Sequence, residues 1–316
     1  MASRRTQVAS AGARVVACLA MVAVVGPTSV VEAAPPESAP PACRAQVAAA
    51  RAALEPAFSG ARRRVHAGSP GSVEHAIATY VPSRLNPVAE GTLPAARPGA
   101  RCPADMVSFA SRFCVDKYEG SLVERLPDGT LRPHSPYHTP VAGSVYIAQS
   151  VAGVVPQGYI SASQAERACA AAGKRLCQPV EWRAACGGSE GYAYPYGPVR
   201  APGKCHDHGA TPMLTYHAAT MSRGWGLAEL NDPRNNQLEG GVAKTGASPD
   251  CVNDLGAFDM VGNLHEWTAD PNGTFQGGYW LDTSQHGDGC AYRTSAHGYT
   301  YHDYSTGFRC CADVTP

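Results

Sequence analysis

Hydrophobic and polar positions divide the chain into three textures. Residues 1–34 place Arg4, Arg5 and Arg14 ahead of an apolar run, Val15–Val25, which gives way to small residues around Ala33 and Ala34. A positive start, a short apolar stretch and a small-residue end describe a cleaved export signal. Its 11 apolar residues are too few to span a bilayer. Cys18 is not read as a lipoprotein site, because the apolar run continues past it. The pair Arg4-Arg5 points weakly to a twin-arginine route. Residues 35–100 show no sustained apolar period. A Pro/Ala-rich start leads into an Ala/Arg-rich helix from Cys43 to about Glu55, which Pro56 interrupts. A Gly/Pro/Ala-rich linker follows, and the whole segment is too small for a core of its own.

From Arg101 to Pro316 the pattern changes. "DMVSFASRFCVDKYEGSLVE" (105–124) alternates apolar with polar and carries β-branched residues, so it predicts strands. "SASQAERACAAAGKRLC" (161–177) predicts a helix, with Ser163 and Glu166 as an S-x-x-E capping box and Gly173 at its end. "QPVEWRAACGG" (178–188) predicts a second, shorter helix, with Pro179 first and Gly187 just past the end. Beyond Gly188, tyrosines, glycines and prolines predict mostly irregular loops. The expected product is an α+β domain over 101–316, with two helices on small antiparallel sheets and long loops that need stapling.

Composition narrows the function classes. Lys+Arg and Asp+Glu both number 26, which leaves no bulk electrostatic pull on nucleic acid or anionic membrane. Beyond the leader, no stretch is long and apolar enough to cross a membrane. Cleavage after residue 34 removes three arginines and one glutamate, leaving 23 basic and 25 acidic residues. It also removes Cys18 from the 12 cysteines, leaving 11. An exported chain with that many cysteines carries disulfides, and an odd count leaves one thiol over, for which Cys43 is the natural candidate. The arginine and alanine content of the leader suggests a bacterial periplasm, envelope or extracellular destination.

Three segments, in order, carry a resemblance: "GKRLCQPVEWRAAC" (173–186), "GAFDMVGNLHEWTAD" (256–270) and Gly277-Gly278 followed by Gly307-Phe308-Arg309. Together they resemble the sulfatase-modifying-factor family, whose best-known member is the formylglycine-generating enzyme. The family's D-M-x-G-N-x-x-E-W core is met by Asp259, Met260, Gly262, Asn263, Glu266 and Trp267. The likeness runs from about Cys102 to Ala312, and it implies a C-type-lectin-like fold with little regular secondary structure.

The resemblance also implies cofactors. Family members bind calcium at the D-M-x-G-N segment, which nominates the Asp259 side chain and the carbonyls of Met260, Gly262 and Leu264. Asn253 and Asp254 lie just upstream. These are the hard oxygen donors calcium takes. The plainer alternative is that Asp259 caps a turn that Gly262 permits. The family's oxidase also holds copper on two cysteines after the G-G pair, five residues apart. Here the position four residues after Gly278 is Asp282, and Cys290 is eight residues further on. Tyr279 replaces the usual serine after G-G, and His265 the usual tryptophan. One thiolate and a hard carboxylate make a poor Cu(I) site, so copper-dependent formylglycine synthesis is not expected. His265, Asp282 and His286 could instead form the two-histidine, one-carboxylate set that holds non-haem iron, or could simply hydrogen-bond in loops. "CHDHGA" (205–210) lacks a fourth ligand for zinc.

Cys290 has two readings, a reactive thiol or half of a disulfide. Adjacent residues of a strand face opposite ways, so either Cys310 or Cys311 could reach it. Cys102–Cys114 and Cys186–Cys205 are the further expected pairs. In the family the segment 295–307 lines the peptide cleft. Tyr299, Tyr301, Tyr304 and His302 there suit recognition of peptide or sugar, or else cover a core poor in phenylalanine. Two functions therefore stand open. One is a calcium-stabilised binding module for a peptide, glycan or envelope protein. The other is an oxidoreductase of the formylglycine-generating enzyme superfamily that uses a metal or Cys290, with catalytic candidates Cys290, His265 and Asp282.

Overall fold

A computed structural model describes residues 91–295 and 297–316, which fall in the unit Leu85–Pro316. The export signal, the helix expected at 43–55 and Cys43 lie outside the described residues. The C-terminal strand organises the fold. In the first sheet, β1 (Met106–Phe109) and β2 (Phe113–Asp116) form an antiparallel hairpin. β11 (Cys310–Asp313) inserts between β2 and β6 (Arg175–Leu176), antiparallel to both. A second sheet orders β4 (Leu131–Pro133), β3 (Gly120–Arg125) and β5 (Val145–Ser150). The third runs β10 (Thr306–Phe308), β7 (His265–Trp267), β8 (Phe275–Gln276) and β9 (Arg293–Thr294). Here the expectation of antiparallel sheets meets an exception, since β10 runs parallel to β7. A parallel pair needs a long crossover, and the chain between Trp267 and Thr306 supplies one.

Helix α1 (Ala162–Ala171) buries Ala162, Ala165, Ala168 and Cys169. This stripe of small residues lets its backbone lie close to the core. Its N-cap is Ser161 rather than Ser163. Ser161 Oγ accepts from Gln164 N–H at 3.3 Å, and Gln164 Oε1 accepts from Ser161 N–H at 2.9 Å. Fully buried Ile160 decides the register, because the helix can begin only after that side chain has entered the core. Replacing Ser161 with alanine should cost about 1 kcal/mol, whereas Ser163→Ala should stay within about 0.5 kcal/mol; thermal unfolding of the two variants reads the difference. Helix α2 (Pro179–Gly187) starts at Pro179 as expected, and its positive-φ cap is Gly188, one residue beyond the expected stop. Two short helices that the pattern does not announce, α3 (Pro212–Tyr216) and α4 (Leu227–Leu230), sit in the long loop region. The fold is the α+β, disulfide-stapled, loop-rich arrangement expected for a C-type-lectin-like sulfatase-modifying-factor domain.

Five disulfides join the ten described cysteines. Cys102–Cys114 is the expected pair. The other expectations are corrected. Cys290 bonds Cys186, not Cys310 or Cys311, and Cys205 bonds Cys251, not Cys186. Neighbours on β11 do face opposite ways. Cys310 meets Cys169 of α1, and Cys311 meets Cys177 just after β6. Both faces of the strand are thus taken, and the end of α2 lies against the turn that carries Cys290.

Candidate functional site

The segment Asp259–Asn263 is bent against its own preferences. Asp259 and Asn263 both have φ of 54°, in the left-handed region that costs L-residues roughly 1 kcal/mol each. Gly262 is required by proximity, since a Cβ there would lie 2.3 Å from the His206 carbonyl oxygen. Asp259 is buried, and its Oδ2 accepts the Gly246 N–H at 2.6 Å. Asn263 is clamped from two sides. Its Nδ2 donates to Glu119 Oε2 at 2.6 Å, and its Oδ1 accepts from Ala243 N–H at 2.8 Å. The other oxygen of Glu119 accepts the Leu264 N–H at 3.2 Å.

Next to this turn, Arg309 lies fully buried where the chain passes from β10 to β11. It donates through Nε and Nη2 to the two oxygens of Glu266, at 2.6 and 2.7 Å. Its remaining donors reach the carbonyls of Asp116 and Phe258. Trp182 Nε1 adds a third hydrogen bond to Glu266, at 2.6 Å. Glu266 and Arg309 therefore neutralise each other, and Glu119 and Asp259 are left as buried carboxylates. Burial raises Glu119 well above the usual carboxylate range, and the neighbouring Asp259 and Glu266 push in the same direction. Burial also holds Asp259 up at about 6, against the pull of the Gly246 N–H and Arg309.

The donor set fits a hard divalent cation. Three buried carboxylates, Glu119, Asp259 and Glu266, around the single cation Arg309 are costly unless something positive joins them. Among the described residues no three His, Cys, Asp or Glu side chains are grouped to hold a metal by themselves. A cation here therefore needs backbone carbonyls as well, which is calcium's habit in irregular loops.

The loop after Gly278 has a different character. Tyr279 and Asp282 exchange backbone hydrogen bonds, and Gly278 must be glycine because a Cβ would lie 2.3 Å from the Asp282 carbonyl oxygen. Asp282 Oδ1 accepts the N–H groups of Ser284 and Gln285, and Oδ2 accepts the Tyr292 hydroxyl at 3.0 Å. Cys290 is consumed by its bond to Cys186 and carries no thiol in this form. His265 is buried among Phe275, Tyr279 and Tyr292, with ring centroids 4.5, 4.7 and 5.5 Å away. Its Nδ1 has no hydrogen-bond partner. Burial lowers its pKa to about 3, and His297 and His286 add to the effect. The ring of His286 packs edge-on against Tyr292. His265, Asp282 and His286 thus each contact Tyr292, and among the described residues they are not grouped as a three-ligand metal set. The two-cysteine copper site of the family does not fit these residues either.

The tyrosines of the tail divide. Tyr304 is interior, packed on Trp280 at 5.6 Å and Tyr279 at 6.2 Å, so it is not placed to meet a ligand. Tyr299, Tyr301 and His302 are half-exposed. The Tyr301 hydroxyl donates to Asp303 Oδ2 at 2.5 Å, and its ring stacks on His297 at 4.1 Å. His302 Nδ1 lies 2.7 Å from Asn231 Oδ1. Burial raises the Tyr299 hydroxyl to about 12, and Glu166 beside it contributes. Glu166, expected in the capping box, is thus a neighbour of the tyrosine face. Sequence reasoning missed Glu119. Its signal was a carboxylate among buried apolar positions in "FCVDKYEGSLV".

A family model described as the sulfatase-modifying factor enzyme 1-like domain matches residues 129–314. A relative from Bos taurus, "Inactive C-alpha-formylglycine-generating enzyme 2", is 30% identical over 174 residues, 50% of this chain and 50% of that protein. The chain thus spans about half the length of that curated relative. Among solved structures, the Major Tropism Determinant P3c variant aligns with a TM-score of 0.40 at 17% identity, over 69% of this chain and 55% of that one. The U1 variant of the same protein gives a TM-score of 0.40 at 16% identity, with the same coverage.

Proposed function

The chain belongs to the sulfatase-modifying factor enzyme 1-like family, and we propose that within it this protein is an exported, calcium-stabilised binding module rather than an oxidase. The observation that carries this reading is the bond between Cys290 and Cys186. With Asp282 in the other position of the expected cysteine pair, the loop offers no thiolate pair for Cu(I). The similar bovine protein bears the word inactive in its name, which points the same way. Export is supported by the five disulfides, which persist in oxidising compartments and are rare in reducing ones. No described helix is long and apolar enough to cross a membrane.

Calcium would be held by Asp259 with carbonyls of Met260, Gly262 and Leu264. Its chemistry here is structural: it would offset buried negative charge and hold a turn whose backbone is otherwise unfavourable. The binding face would be the half-exposed Tyr299, Tyr301 and His302. These residues present apolar rings with polar tips, a combination suited to a peptide, a glycan or the surface of an envelope protein.

Two measurements test the reading. A cysteine-containing sulfatase peptide, incubated with the protein, copper and oxygen, should keep its thiol mass. Conversion to the aldehyde would overturn the binding-module reading and favour the oxidase. Screening peptide and glycan arrays should return a ligand whose affinity falls roughly tenfold in Tyr301→Ala, the loss of about 1.4 kcal/mol typical of one aromatic contact. A hit that Tyr301→Ala and Tyr299→Ala leave unchanged would place the binding face elsewhere.

A further inference from the structure

We propose that the face formed by Tyr299, Tyr301 and His302 takes a cationic ligand that brings its own hydrogen-bond donors, the ammonium or guanidinium groups of a basic peptide segment. The inference rests on the binding-module reading above and names the ligand chemistry of that face. Two independent observations carry it: the protons of the polar tips are already committed, and the charges acting on the rings are carboxylates.

The Tyr301 hydroxyl donates to Asp303 Oδ2 at 2.5 Å. The Tyr299 hydroxyl donates to the Glu166 carboxylate beside it. For His302, the neighbouring amide fixes the tautomer. Asn231 Nδ2 donates to two carbonyl oxygens, that of Leu227 at 2.9 Å and that of His302 itself at 3.2 Å. This orients the amide, so Asn231 Oδ1 is the atom 2.7 Å from His302 Nδ1, and Nδ1 carries the proton. Burial lowers the His302 pKa against the pull of Asp303, so the ring is neutral at pH 7 and Nε2 is an acceptor. All three tips are left with lone pairs to offer, on two phenol oxygens and one imidazole nitrogen. A ligand that brings only carbonyl or carboxylate oxygens finds no donor on them.

The charge around the rings has one sign. Burial acts most strongly on each ring, and the charged side chains that act beside it are Asp303 on His297, Tyr301 and His302, and Glu166 and Asp270 on Tyr299. Asp303 accepts from the Tyr301 hydroxyl and from the N–H and hydroxyl of Ser305. Asp270 accepts from Asn272 and Thr274. Neutral donors orient a carboxylate but do not cancel its charge, and among the described residues none of the three carboxylates is in an ion pair. Glu166 is exposed on α1 at the edge of the face, within a ligand's reach. A cation with N–H donors meets both conditions, since it satisfies the spare lone pairs and balances the local negative charge. The rings add a cation–π attraction. A neutral glycan meets only the first condition, and an acidic segment meets neither.

The test is calorimetric titration of the wild-type chain with tetralysine, tetraglutamate and maltotetraose at low ionic strength. The expected result is that tetralysine binds, that the other two do not, and that the affinity falls as salt is added. Glu166→Gln should weaken tetralysine binding roughly three- to fivefold, and Glu166→Lys roughly tenfold or more. Glu190→Gln, an exposed carboxylate beyond the end of α2, should leave it unchanged. Glu166 is itself exposed on its helix, so its variants keep the fold. Tetralysine binding that both Glu166 variants leave intact overturns the proposal. An equal loss in Glu190→Gln also overturns it, because the attraction is then diffuse rather than placed at this face. Binding of tetraglutamate or maltotetraose that Tyr301→Ala abolishes overturns the cationic ligand but keeps the face as the binding surface. Binding of none of the three also overturns the proposal, and the peptide and glycan arrays then decide the binding-module reading by themselves.

Discussion

Arg309→Met should lower the melting temperature by about 10 °C or more, the equivalent of roughly 3–5 kcal/mol in a domain of this size. The residue is wholly buried and bonded to both oxygens of Glu266. Removing it strands Glu266 beside two other buried carboxylates, Asp259 and Glu119, which already repel one another. It also frees the carbonyls of Asp116 and Phe258, and so loosens the strand next to the Asp259–Asn263 turn. Breaking one side of a buried ion pair is far more damaging than replacing both sides. The double variant Arg309→Met/Glu266→Gln should therefore recover part of the loss, and a double-mutant cycle by thermal unfolding measures how much. A single-variant loss under about 1 kcal/mol would mean that Glu266 is paired by something other than Arg309.

His265→Phe should stabilise the protein, and by more in acid. In the folded chain the imidazole sits among three rings with Nδ1 unpartnered, and its pKa lies near 3. In the unfolded chain it titrates near 6.5. The folded pKa is the lower one, so this group's contribution to stability is fully present above about pH 6.5 and is lost as pH falls toward about 3. Phenylalanine keeps the ring and removes both penalties. At neutral pH the gain is the cost of one buried unsatisfied nitrogen, about 1 kcal/mol or somewhat more. At pH 5 the unfolded histidine is mostly protonated and the folded one is not, which adds about 2 kcal/mol. Urea unfolding of wild type and variant at the two pH values reads both numbers. A variant that gains nothing at pH 5 would show that the folded imidazole protonates freely. A variant that gains stability but loses ligand binding would mark His265 as part of the recognition surface.

Much of this protein was legible in its order of residues. Pro179 starts a helix as expected because it suits a first turn, and the helix stops one residue beyond the expected Gly187, at Gly188, which tolerates a positive φ; both effects are local. The motif around Asp259 and the pair Gly277-Gly278 identify the family, because close backbone approach restricts which residues those positions can hold. The shift of the α1 cap from Ser163 to Ser161 marks the limit of such reasoning. Two serines offered equivalent caps, and the choice fell to the burial of Ile160, a long-range contact.

Pairings across the chain were decided elsewhere. The twelve cysteines and the leader-like start imply disulfides, but which sulfur meets which depends on the faces of β11 and on where α2 ends. The same holds for charge. Asp259 announces itself by its motif. Glu119 enters only because the link after β2 passes beside Asn263, and Arg309 matters because the chain changes sheets at that residue. Local propensity and close-contact glycines act within a few residues, so the sequence alone determined the two longer helices, the family and the bend at Asp259–Asn263. Disulfide partners, the compensation of buried charge and the inward placement of Tyr304 join residues tens to hundreds of positions apart, and only the packed chain brought those together.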